Sequence, residues 1–214
     1  MKHRSGRPVE LGVGDAVLEG RLTLEPGVRG LVVVVNGDWG VRYASRETEI
    51  AESLEREGFG TLVIELLTPD EGADRSNRFA TDLLADRLGG VTEWLDSRER
   101  TADLDLGLFG VGPGAATVLR AVDGRGTDAG AVVTLDGRVD LIDGLESRRV
   151  PTLLVVDGSN DHLLRSNRRA YRALGPDHHR HVVLWSEDGG SATVSAEAIS
   201  LAASWFETHL HDGA

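Results

Sequence analysis

The chain contains no cysteine, one methionine and a single lysine, Lys2. Without cysteine there can be no disulfide, thiolate metal site, iron–sulfur cluster or cysteine nucleophile. Positive charge is scarce relative to negative: 35 Asp and Glu against 23 Lys and Arg give a formal net charge of -12. So acidic a surface repels phosphates. It argues against a nucleic-acid partner and against an anionic membrane surface. Long apolar runs are also lacking, and none approaches the ~20 residues of a membrane span. The opening residues, MKHRSGRPVEL, have no apolar core of a secretory leader. The location expected from these absences is the cytoplasm.

What remains is ordinary material for a globular domain. The chain has 214 residues, 40% of them hydrophobic, enough for one sizeable core, and a single domain over residues 1–214 is expected. Residues 9–24 alternate apolar and polar side chains around Gly12 and Gly14, the pattern of an antiparallel hairpin. LVVVV at 31–35 is apolar and β-branched throughout, as a strand buried on both faces must be. Residues 61–67, 104–110, 129–135, 151–156 and 181–185 repeat that pattern. Helical stretches lie between them, at 45–57, 77–98, 113–122, 163–174 and 194–210. In 77–98 the apolar stripe is Phe79, Leu83, Leu84, Leu88, Val91 and Leu95. Strands alternating with helices predict a mostly parallel sheet covered on both faces.

The stretch LGLFGVGPGAATVLRAV, residues 106–122, reads as strand, Gly-rich turn and helix. Such turns present nucleophiles in many hydrolases, yet Gly112 stands at this apex and Pro113 follows it. Read alone, Gly110-x-Gly112-x-x-Ala115 also fits a dinucleotide fingerprint, with Asp136 about twenty residues on as the ribose-binding acid.

Longer motifs favour another relationship. LVVVVNG, ELLTPDEGADRSNRF, FGVGPGAA, LDGRVDL, LLVVDGSNDHLLRSNRRA and LAASWFETHL together resemble the dienelactone hydrolase-like branch of the α/β-hydrolases, from about residue 30 to 210. The resemblance implies an α/β-hydrolase fold: a mostly parallel central sheet, helices on both faces and an N-terminal antiparallel hairpin. It implies a crevice ringed by the loops that start at Asn36, Thr68, Gly110, Asp136, Asp157 and Ser186. It also implies a Ser-acid-His triad in that chain order.

The triad positions are degenerate. Gly112 replaces the serine, and Pro113 removes the backbone N–H that would stabilise an oxyanion. Asn160 aligns with the acid, although Asp161 is one residue away. The loop expected to carry the base, SEDGGSATVSAE, has no histidine. His178, His179 and His181 are expected at the opposite end of the sheet. Only His162, next to Asp161, falls in a suitable loop. The expected reading is a protein that has lost ester hydrolysis and binds a small molecule or a protein. Its pocket candidates are Asn36, Gly37, Asp38, Trp39, Gly112, Pro113, Asp136, Arg138, Asp161 and His162. Arg75, Asn77 and Arg78 either pin a loop over that pocket or bond loop to loop. A hydrolase acting on esters or lactones from a non-standard site is the alternative, including a metal-assisted version through Asp38, Asp136, Asp161 and His162. No cofactor and no metal site are expected, and the assembly is a monomer or homodimer.

Overall fold

The computed structural model describes residues 6–35, 44–123, 127–145, 150–174, 179–184 and 196–210. Apolar β-branched runs build its centre. Leu31, Val33 and Val35 of one strand enter one core, and Val32 and Val34 enter the other, all almost wholly buried. A strand that is apolar at every position is satisfied only between two covering layers.

Among the described residues the strands are β1 (Arg7–Val13), β2 (Ala16–Thr23), β3 (Leu31–Val35), β4 (Gly60–Ile64), β5 (Leu106–Val111), β6 (Ala131–Leu135), β7 (Thr152–Asp157) and β8 (His179–Leu184). They form one sheet in the order β1-β2-β4-β3-β5-β6-β7-β8. β1 and β2 form the antiparallel hairpin, β2 runs antiparallel to β4, and the other neighbours are parallel. The α-helices among the described residues are α1 (Ala44–Arg56), α2 (Pro69–Ala73), α3 (Thr81–Asp96), α4 (Gly114–Ala121), α5 (Asp161–Leu174) and α6 (Ala196–His209). Ile50 and Leu54 of α1 join Ala202 and Phe206 of α6 in one core. Leu84 and Leu88 of α3, Val118 of α4 and Ala170 of α5 line the other. Helices therefore cover both faces, as the α/β-hydrolase fold requires.

Two expectations need correcting. The stretch 77–98 is not one helix: a 3-10 turn over Asn77–Phe79 precedes α3. Phe79, lying outside the helix, is 54% exposed, and Leu83 is 37% exposed. The buried stripe is Leu84, Leu88, Val91 and Leu95, and Leu83 sits about 100° around the helix from Leu84. β8 also begins at His179, so His179 and His181 lie within the strand rather than before it. His179 pairs with Thr152, the first residue of β7, which keeps the histidine end of β8 away from the strand C-termini. Among the described residues no helix is long and apolar enough to cross a membrane.

Candidate functional site

The C-terminal ends of β4, β3, β5, β6, β7 and β8 lie along one edge of the sheet. At its centre β5 bends into α4. Gly112 has φ +53, a left-handed conformation that side chains other than Gly, Asn and Asp rarely adopt. Its N–H donates to Leu135 O at 3.0 Å, and its carbonyl accepts from Arg138 N at 2.9 Å and Ala115 N at 3.2 Å. These bonds hold the bend through main chain alone. Gly110 permits the tight join, because a Cβ there would lie 2.6 Å from Gly114 O and 2.7 Å from Ala115 Cα. A Cβ at Gly112 would meet nothing within 4 Å. The apex thus has the backbone and the space for a reacting side chain, and no side chain. Pro113, at φ -61, stands at the N-cap position of α4 without a side-chain capping hydrogen bond and offers no N–H.

The neighbouring turn carries the local charge. Asp136 has φ +51, the one positive φ outside glycine among the described residues. Its Oδ1 accepts from Asp157 N at 2.8 Å, and its Oδ2 accepts from Arg46 Nη2 at 3.0 Å. The two side chains of this ion pair are 23% (Arg46) and 13% (Asp136) exposed. Asp157 is buried, and its Oδ1 accepts from Ser159 N at 2.9 Å. Arg46 was missed as a site residue because it sits in a polar helix start, and nothing in the sequence marks its cross-chain partner.

The residues expected to supply acid and base diverge. Asn160 Oδ1 accepts from Leu163 N at 3.2 Å, the action of a helix cap on α5. Asp161 is 83% exposed and lies 3.6 Å from Arg165 one turn on. His162, 66% exposed, places Nε2 3.8 Å from Asp140 Oδ2. Arg138 holds the same Asp140 at 2.9 Å, and its hydrogen bond keeps that carboxyl below the usual range. Arg138, Asp140 and His162 are therefore one surface cluster. Asn36, Gly37, Asp38 and Trp39 lie outside the described residues, as do 185–195 of the loop expected to carry the base. Among the described residues no group of three or more His, Asp or Glu is placed to share a metal ion.

The loop after β4 is clasped rather than open. Thr68 Oγ1 accepts from Glu71 N, and Glu71 Oε2 accepts from Thr68 N at 2.8 Å, a complete capping box on α2. Buried Arg87 reaches from α3 to both Glu71 oxygens and to Leu66 O. Hydrogen bonding from Arg87, with help from Thr68, holds the Glu71 carboxyl down at about 2. Asn77 Nδ2 donates to Glu71 O at 3.0 Å, and Arg78 Nη2 donates to Gly72 O at 3.1 Å. Both residues bind loop to loop.

No protein-family model matches the chain. The structure of a dienelactone hydrolase from Anabaena variabilis does: it is 32% identical, covers 98% of this chain and all of its own, and superposes with a TM-score of 0.86. The chain belongs to the dienelactone hydrolase family. A Pyrococcus furiosus esterase shares the fold at 14% identity, with 96% of this chain and 93% of its own covered and a TM-score of 0.73. Proteins from two Mycobacterium tuberculosis strains, provisionally named phosphoribosyl transferases, are 38% identical over 208 residues. The match takes in 94% of this chain and 46% of theirs, so the chain spans about half the length of those curated relatives.

Proposed function

We propose that this member of the dienelactone hydrolase family has lost Ser-His-Asp ester hydrolysis. Its strand-end crevice acts instead as a binding site for a small molecule or a partner protein. The observation that carries this reading is Gly112: the bend and the room for a nucleophile persist, and the nucleophile does not. Pro113 supports it independently, since a missing oxyanion donor costs roughly 3–4 kcal/mol of transition-state stabilisation. The outward-facing Asp161 and the absence of histidine from residues 186–195 point the same way.

The rival reading is an ester or lactone hydrolase with a non-standard site. Its support is the partly buried Asp136, held in a left-handed conformation in the turn beside the apex. Dinucleotide binding through Gly110, Gly112 and Ala115 is less well supported, because Asp136 already engages both carboxylate oxygens and Pro113 has no N–H to give a phosphate. We read the transferase name of the mycobacterial relatives as describing the part of those proteins outside the match.

A panel of short-chain p-nitrophenyl esters, assayed beside a Gly112→Ser, Pro113→Thr double variant, tests the proposal. The expected result is no turnover above background in the parent chain, and little in the variant because the base is missing. Turnover by the parent chain well above background overturns the reading.

A further inference from the structure

A cavity of about 380 Å³ lies at the opposite end of the sheet from Gly112. Arg7 at the start of β1 pairs with Leu22 near the end of β2, and Thr23 pairs with Thr61 at the start of β4, so this corner belongs to the N-terminal ends of the parallel strands. The cavity opens between the hairpin and the end of α3. Its apolar lining comes from Val9, Leu22, Leu24 and Trp94, and three guanidinium groups, Arg7, Arg98 and Arg100, line it as well.

The state of those three groups is informative. The Arg98 guanidinium lies 4.5 Å from the Trp94 ring centroid. Stacking uses the flat face of a guanidinium and leaves its in-plane N–H donors free. Arg100 donates from Nη2 to Leu24 O at 3.1 Å, which fixes the side chain without neutralising it. Among the described residues none of the three forms an ion pair, although Glu10 and Glu99 also line the cavity. In a chain with twelve more acids than bases, a lining with three guanidiniums against the two carboxylates of Glu10 and Glu99 has a positive balance, a local exception to the charge of the molecule. Small-molecule sites have this composition, mainly apolar lining with a few fixed polar groups, and volumes of roughly 300–1,000 Å³.

We propose that this cavity binds a small aromatic carboxylate, with its ring against the Trp94, Leu22 and Leu24 wall and its carboxylate taken by the arginines. Charge complementarity selects the anion. The volume of about 380 Å³ and the apolar wall select a compact ring system over a polymer. The site is separate from the strand-end crevice and does not depend on the function proposed for that crevice.

Calorimetric titration with 2-naphthoate, and with its neutral counterpart 2-naphthalenemethanol, tests the proposal. The expected result is saturable submillimolar binding of the acid, with the alcohol weaker by about tenfold or more. An Arg7→Gln, Arg98→Gln double variant, altered only at exposed side chains, should keep its thermal midpoint and lose about tenfold in affinity for the acid. No saturable binding, equal affinity for acid and alcohol, or an unchanged affinity in the folded double variant each overturns it.

Discussion

Asp136 does three things with one side chain: it tolerates a left-handed backbone, receives the Asp157 amide and anchors Arg46. Asparagine keeps the first two abilities and loses the ion pair; alanine loses all three. Asp136→Asn should therefore cost about 1 kcal/mol and Asp136→Ala about 3 kcal/mol, measured by urea unfolding. Equal costs for the two would mean that the left-handed backbone and the Asp157 amide bond contribute nothing beyond the ion pair. This residue shows how far the sequence could reach. Asp136 was visible as the acid ending an apolar run, and Gly112 as the apex of a Gly-rich turn, because each sits at a fixed offset from a strand. Arg46 was not visible, because its partner lies 90 residues away and only the fold brings them together. Asp161 and His162 share a short motif in sequence, yet a helix start turns adjacent side chains to different neighbours, Arg165 and Asp140.

At the scale of elements, the five-residue helix α2 is held in place by its cap and by Arg87. Arg87→Leu leaves the Glu71 carboxylate without its cation and should cost about 3 kcal/mol, readable in the same unfolding measurement. Glu71 also gives the clasp a pH signature. Its folded value of about 2 lies below the ordinary 4.5. Its contribution is therefore complete above about 4.5 and is lost as the pH falls toward 2. Glu65, raised by burial and by Glu19, has the opposite sign: its protonation on acidification favours the folded chain. Acid unfolding of the parent should show a steeper loss between about 4.5 and 2 than the Arg87→Leu variant does. Parallel curves would refute the assignment. Pro69 and Gly72 hid α2 from the sequence reading, since both discourage helix interiors, although Thr68 and Glu71 stand at capping-box spacing. The long run 77–98 misled for a different reason. Phe79 and Leu83 continue an apolar count along the chain without continuing one face of α3.

For the whole molecule, the mostly parallel sheet and its two-sided cover were legible because predominantly apolar strands alternate with helical stretches, whereas the strand order was not, because the sequence does not say which strands pair. β8, whose first three residues are His179, Arg180 and His181, started two residues earlier than its apolar part suggested. The charge of -12 acts on the molecule as a whole. Self-repulsion opposes compactness and is screened by salt. Raising sodium chloride from low to near-physiological concentration should raise the thermal midpoint by roughly 2–4 °C, equivalent to about 1 kcal/mol for a chain of this size. A falling midpoint would mean that surface ion pairs such as Arg29 with Glu207 outweigh the repulsion.

The three backbone bonds at Gly112 have an evolutionary corollary. None of them uses a side chain, and the left-handed backbone at φ +53 favours glycine, so folding exerts no pressure to keep a hydroxyl there. A lineage can discard its reaction by a single substitution and still preserve every contact through which its ancestry is recognised. Kinship by shape, in this protein, is a record of descent and carries no guarantee of turnover.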